Sequence, residues 1–275
     1  MLIAQLSDLH IKAGRKKAYG VVDTATLLEQ AIKHLLAQTV RPKAVVVTGD
    51  LVDHGSVADY LLLREILAPL LQLREQIACY LIPGNHDSRA HLRRVFRDHD
   101  YLFQTPDFIQ FSVELGPLRL VALDTVIPMS SHGQLCADRL RWLQTVMLEK
   151  TRPTIIAMHH PPFQTGIAHM DLIGLKNKDE FEAIVERYPN IERIICGHLH
   201  RSIQSKFGRT VASTAPSCAH QIELQLDPLA PDCFVLEPPG YHLHWWSGAR
   251  LITHQVVIGN FGDTYPFRES SQLID

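Results

Sequence analysis

Short apolar runs alternate with helical stripes over the first eighty residues. Leu2-Ile3-Ala4-Gln5-Leu6 reads as a strand, and residues 23–38 place Leu27, Leu28, Ala31, Ile32, Leu35 and Leu36 at helical spacing. Ala44-Val45-Val46-Val47 is a continuous, mostly β-branched run of the kind buried on both faces of a sheet. Residues 57–73 carry a second helical pattern, and Cys79-Tyr80-Leu81-Ile82 is a strand stopped by Pro83-Gly84. The order β-α-β-α-β predicts a sheet that is at least partly parallel. Further on, residues 108–115 and 118–123 flank Gly116-Pro117 as a hairpin. Residues 136–149 predict an amphipathic helix, 154–158 a strand, 178–187 a helix and 191–196 a strand. Beyond about residue 200 the helical signal fades into short strand candidates separated by Pro and Gly. No repeat, low-complexity tract or interdomain linker stands out.

Composition narrows this picture in three ways. The 275 residues suffice for one large α/β domain with a substantial core. Lys plus Arg number 27 and Asp plus Glu 29, for a net charge of −2, which argues against a partner held by a general basic surface, a nucleic acid polymer above all. The five cysteines are scattered and form no C-x-x-C pair, so neither a disulfide framework nor a zinc–thiolate site is expected and a reducing cytoplasm fits. Cys79, Cys196 and Cys233 sit in apolar runs and read as small core residues. No run approaches a membrane span, and no basic segment followed by an apolar one suggests a signal peptide.

The unusual number is 16 histidines. Five segments that end strand candidates carry residues of metal-binding type: Asp8-Leu9-His10, Gly49-Asp50, Gly84-Asn85-His86-Asp87, His159-His160 and Gly197-His198-Leu199-His200. In open α/β sheets, ligands sit beyond the carboxyl ends of the strands, so the five segments are expected to converge on one edge. Residues i and i+2 of an extended segment point the same way, so Asp8 with His10, and His198 with His200, can each address one cluster. His159 and His160 point oppositely, and only one of them serves. Asp8, His10, Asp50, Asn85, one of that pair, His198 and His200 make seven donors, which suits two metals sharing a carboxylate. Oxygen and imidazole without thiolate fit Mn, Fe, Zn or Co without choosing among them.

These five blocks, in this order over residues 8–200, resemble the calcineurin-like metallophosphoesterase superfamily. Lys17-Ala18-Tyr19-Gly20, the run Tyr80 to Asp87 and Met158-His159-His160-Pro161-Pro162 look like its class III cyclic nucleotide phosphodiesterases, and within them most like bacterial glycerophosphodiesterases. The likeness reaches about residue 220. It implies a four-layer α/β/β/α sandwich with a C-terminal β extension: a catalytic domain over residues 1–220, and a strand-rich cap or subunit contact over 221–275 that does not fold independently. It also implies that Asp8, His10 and His200 hold one metal, Asn85, His159 and His198 a second, and Asp50 bridges them. His86 becomes the general acid. The implied reaction is hydroxide attack on the phosphorus of a small diester, a glycerophosphodiester or a 3′,5′-cyclic nucleotide, by a soluble homo-oligomer. A phosphomonoesterase on the same site and a noncatalytic metal-binding scaffold are the alternatives.

Other residues receive plainer readings. Asp87 is expected to cap a helix over 88–98, and Asp53 and His54 to be ordinary loop residues. His160 should be a buried structural histidine, and His220 stands between structural and site roles. His34, His91, His99 and Arg93-Arg94 should be solvated, and His242 and His244 should lie on an aromatic-rich sheet edge. Tyr19 could border the substrate, and residues 163–177 could form a lid.

Overall fold

The computed structural model describes residues 1–149, 151–269 and 272–273. In chain order the elements are β1 (Leu2–Leu6), α1 (Thr24–Leu36), β2 (Ala44–Thr48), α2 (Val57–Ile66), α3 (Ala68–Leu71), β3 (Ala78–Ile82), α4 (Arg89–Val95), β4 (Phe111–Leu115) and β5 (Leu118–Leu123). They continue with β6 (Gly133–Gln134), α5 (Ala137–Val146), β7 (Thr154–Met158), α6 (Ala168–Asp171), β8 (Leu175–Lys176), α7 (Lys178–Arg187) and β9 (Ile191–Cys196). β10 (Ile203–Phe207), β11 (Thr210–Thr214), β12 (Gln221–Ile222), β13 (Phe234–Val235), β14 (Gly240–Trp246) and β15 (Leu251–Val257) follow. The helical pattern over 57–73 divides at Leu67, because Pro69 in the first turn of α3 has no N–H to continue the ladder.

Two mixed sheets dominate, ordered β15-β14-β1-β2-β3 and β10-β11-β9-β7-β5-β4. β1, β2 and β3 run parallel, as do β5, β7, β9 and β11, so both sheets point their central strands at one common edge. Period-2 alternation assigns the layers. In the second sheet Leu120, Ala122, Ile155, Ala157 and Ile195 join the core shared with the first sheet. Their neighbours Val121, Leu123, Ile156, Met158 and Ile194 face outward onto α5 and α7 through Leu140, Leu143, Phe181 and Val185. On the other side α1 and α2 cover the first sheet with Leu28, Ile32, Leu35, Tyr60 and Leu63. The result is the expected four-layer order of helices, sheet, sheet and helices.

The C-terminal region departs from a plain reading of its pattern. β14 is inserted between β15 and β1, antiparallel to both, with Gln5 opposite His242 and Ile3 opposite His244. His242 and His244 are therefore buried inside the fold and not on a sheet edge; β15 is the edge. The residue expected to be core at position 233 is exposed instead, while Cys79 and Cys196 are buried. Arg93 is no solvated arginine. Its guanidinium donates to the carbonyls of Leu102, Thr105, Pro106 and Phe108 and so ties down that loop. His34 pairs with the Tyr241 hydroxyl at 3.2 Å and His91 with the Gly55 carbonyl at 2.7 Å. His99 is largely covered, its ring against Phe96 and Tyr101.

Candidate metal centre

The turns that leave the parallel strands bring the sequence-predicted donors together. Asp8 and His10 follow β1, Asp50 follows β2, Asn85 and His86 follow β3, His159 follows β7, and His198 and His200 follow β9. Asp8, His10, Asp50, His198 and His200 all have φ between 45° and 72°, the left-handed region that side chains with a Cβ rarely adopt. Each such residue costs on the order of 1–3 kcal/mol, and strain of this kind gathers where geometry is held for function. Close approach adds a second constraint. A Cβ at Gly49 would lie 2.3 Å from the His159 ring, and one at Gly84 would lie 2.2 Å from Asp50 Oδ1, so glycine is required at both places.

The donors converge on Asp50. Its Oδ2 lies 3.4 Å from His159 Nε2, 3.7 Å from His10 Nε2 and 4.0 Å from His86 Nε2. On one side, His10 Nε2 is 3.2 Å from His200 Nε2, and His200 Nε2 is 3.6 Å from Asp8 Oδ1. On the other, His159 Nε2 is 3.0 Å from Asn85 Oδ1. The His198 ring lies 5.1 Å from that of His159, and among the described residues its Nε2 has no hydrogen-bond partner, nor has Asp8 Oδ2. Two imidazole nitrogens facing each other at hydrogen-bond distance can share one proton at most. Buried, unpartnered nitrogen and carboxylate oxygen beside them are the donor set that a pair of divalent cations satisfies. The residues present thus fit the two ions the sequence pattern calls for.

The rings of His10, His86, His159 and His200 are turned so that Nε2 faces the centre. Nδ1 of His159 donates to the Thr48 carbonyl at 2.9 Å, that of His200 to the His220 carbonyl at 3.1 Å and that of His86 to the Asp53 carbonyl at 2.8 Å. His10 Nδ1 lies 3.3 Å from Asp53 Oδ1. Carbonyls and a carboxylate behind the rings fix the tautomer and raise the basicity of the nitrogen in front.

The electrostatics are those of a charge-dense, buried site. Burial pushes the Asp8 carboxyl up to about 6. Burial also opposes ionisation of Asp50, but His159, His86 and His10 outweigh it and hold its carboxyl well below the usual range. Burial works against a charged His159, yet Asp50 and Asp8 raise it to about 9. His198 and His200 are held neutral, well below the ordinary imidazole value, by burial and by neighbouring histidines.

Several residues depart from their plain readings. Asp53 is no ordinary loop residue: besides facing His10, its carboxylate pairs with Lys12 Nζ at 2.8 Å, and these two partners overcome burial to hold it well below the usual range. Its position three residues past Asp50 was the available signal. Asp87 is not the helix cap, which is Ser88. It accepts from the backbone N–H of Leu51 and Gly84 and from the Tyr60 hydroxyl, locking the Asp50 and Asn85 turns together. Burial lifts its carboxyl to about 6. His160 is buried and bonded to Thr125 and the Ser131 carbonyl, as a structural histidine should be. His220 packs its ring 4.5 Å from that of His200 and 5.3 Å from that of Tyr19, and Phe234 closes the same aromatic wall 5.1 Å from Tyr19. In the segment 163–177, Asp171 pins the loop by accepting from Thr165 and Gly166.

Comparison with known proteins adds three findings. Residues 1–202 match the family described as Calcineurin-like phosphoesterase. A protein of Arcobacter nitrofigilis named "Probable glycerophosphodiester phosphodiesterase GpdQ" is 34% identical over 279 residues, covering 100% of both chains. A Mycobacterium tuberculosis protein named "cAMP/cGMP dual specificity phosphodiesterase" is 31% identical over 80% of this chain and 68% of its own. Among solved structures, a dimetal phosphatase from Danio rerio superposes with a TM-score of 0.66 over 94% of this chain and 99% of its own; at 14% identity it speaks for the fold alone.

Proposed function

Because the chain belongs to the calcineurin-like phosphoesterase family, we propose that it is a metal-dependent hydrolase of small phosphodiesters. The observation that carries this reading is the convergence of Asp8, His10, Asn85, His159, His198 and His200 around Asp50, with His86 beside it. Asp8, His10 and His200 would hold the first ion, Asn85, His159 and His198 the second, and Asp50 would be common to both. Two divalent ions, when bound, polarise the phosphoryl oxygens and bring the pKa of water toward neutrality.

The protein's own groups do the rest. His86 is one-third exposed, where the other rings of the centre are buried. Its Nδ1 is engaged by the Asp53 carbonyl, so Nε2 is the atom that meets a leaving oxygen and can give it a proton. Asp53 steadies both His10 and His86, the first through its carboxylate and the second through its backbone oxygen. Tyr19, His220 and Phe234 offer the organic part of the substrate a wall. Glycerophosphodiesters are the favoured class, because a relative that carries that name is 34% identical over its whole length, against 29% for a relative named as a probable cyclic nucleotide phosphodiesterase that aligns over 98% of its own.

Chelated protein restored with Mn²⁺ or Zn²⁺ tests the reading. Bis(p-nitrophenyl) phosphate should be cleaved at least about tenfold faster than p-nitrophenyl phosphate, and glycerophosphoethanolamine faster than cyclic AMP. Preference for the monoester would overturn the assignment, and no turnover with two ions bound would favour a scaffold.

We further propose that the enzyme is a cytoplasmic homo-oligomer. β15 is a free edge, and Trp245, Ile252, Val257, Phe261, Tyr265 and Phe267 expose apolar surface on or beyond the β14–β15 pair. Sedimentation should give a dimer or a multiple of one; a monomer at micromolar concentration rejects this. The cysteines are free, which suits a reducing compartment and can be checked by cell fractionation.

A further inference from the structure

Both ions of the proposed centre draw on both sheets. Asp8, His10, Asp50 and Asn85 come from the ends of β1, β2 and β3, whereas His159, His198 and His200 come from β7 and β9. The spacing of the two sheet edges therefore decides whether the donors meet. Apolar contact sets such a spacing without direction, whereas hydrogen bonds fix it by length and angle.

Gln5 lies at this seam, fully buried on β1. Its Nε2 donates to the Cys196 carbonyl in the second sheet at 2.9 Å and to Thr48 Oγ1 at 3.0 Å, and its Oε1 accepts from His244 Nε2 at 3.1 Å. A carbonyl can only accept, so the bond to Cys196 settles which end of the amide is which, and with it the donor role of His244 Nε2. Nδ1 of His244 is then left to accept from Thr253 Oγ1 at 2.9 Å. Thr48 passes its own hydroxyl proton to Ser7 Oγ at 2.8 Å. Gln5 precedes Asp8 by three residues, Thr48 precedes Asp50 by two, and Cys196 precedes His198 by two. One amide thus joins the three strand ends that deliver Asp8, His10, Asp50, His198 and His200. Through Thr48, whose carbonyl receives His159 Nδ1, it reaches a sixth donor.

A buried amide is tolerated only when its bonds are made, and a methionine of similar size would fill the space but leave the Cys196 carbonyl and His244 Nε2 without it. We propose that Gln5 is a positioning residue whose side-chain amide sets the spacing of the two sheet edges, so that donors from both sheets converge on two ions. The proposal rests on the two-ion reading of the site. It also gives the C-terminal region a link to the centre, since His244 belongs to β14.

Gln5→Met keeps the volume and removes the amide. Calorimetric titration of chelated protein with Mn²⁺ should show at least one ion bound about tenfold or more weakly than in the wild type, in the range seen when groups behind metal ligands are lost. The electron paramagnetic resonance spectrum of the Mn²⁺-loaded protein should change, because coupling between two ions depends on their separation. With bis(p-nitrophenyl) phosphate, kcat should fall about 10- to 100-fold while KM stays within about threefold. Unaltered Mn²⁺ affinity, spectrum and kcat, with only a lower unfolding temperature, would make Gln5 a packing residue and overturn the proposal. Should Gln5→Met fail to fold, Thr48→Val, which cuts the branch to β2 together with the Thr48–Ser7 bond and leaves the bond to Cys196, decides by the same readouts. Wild-type protein that binds fewer than two Mn²⁺ per chain overturns the two-ion reading, and this proposal with it.

Discussion

Asp50→Asn should bind fewer than two Mn²⁺ per chain and lose about a thousandfold or more in diester turnover. Three imidazoles, those of His10, His86 and His159, face this single carboxylate in a buried site. Removing its charge takes away the group common to both halves of the donor set. His86→Ala makes the informative contrast. His86 is at the mouth of the site and outside the seven donors, so this variant should keep two ions while kcat falls about 10²- to 10³-fold on a glycerophosphodiester, the range for a lost general acid. On bis(p-nitrophenyl) phosphate the loss should be smaller, because p-nitrophenolate leaves without needing a proton. Equal losses on both substrates would remove the general-acid role, and loss of an ion in His86→Ala would make it a ligand.

What made the site legible was local. A short polar motif directly after an apolar strand is a linear signal, and all five such motifs lie on the one edge to which the parallel strands point. The groups behind the donors left no comparable trace. Gln5 reads as an ordinary strand residue, and its role depends on Cys196, 191 positions away, and on His244, 239 positions away. The burial of His242 and His244 has the same origin. Their alternation predicts a strand, but only the pairing of β14 with β1 puts that strand inside a sheet. Asp53 and Asp87 carried turn chemistry typical of loops and caps, and what distinguishes them is a partner on another turn. The division of the helical pattern over 57–73 is of another kind, since the Pro69 that interrupts it is a local signal in the sequence itself.

The same density of buried histidine should make the metal-free protein acid-labile. Burial, joined by neighbouring histidines and, at His242, by Arg193, holds His160 at about 3, His220 at about 2 and His242 at about 4. It holds His198, His200 and His244 well below the ordinary value. In the unfolded chain all six take up protons as the pH falls through 6.5, while in the folded chain they do not, so stability is present above that value and is lost below it. Asp8 and Asp87, lifted by burial to about 6, act in the opposite sense: between 6 and 3.8 the folded state binds protons there that the unfolded state does not. The lowered histidines outnumber the raised carboxyls, so unfolding takes up protons on balance as the pH falls through 6. Against a total stability of about 5–15 kcal/mol, several such protons are a large term. Urea denaturation of chelated protein, followed by circular dichroism from pH 7.5 to 4.5, should therefore show midpoints that fall steeply below about pH 6. A flat profile over that interval would mean that these histidines are not held neutral in the folded chain, and that the interior of the centre is wetter than its geometry implies.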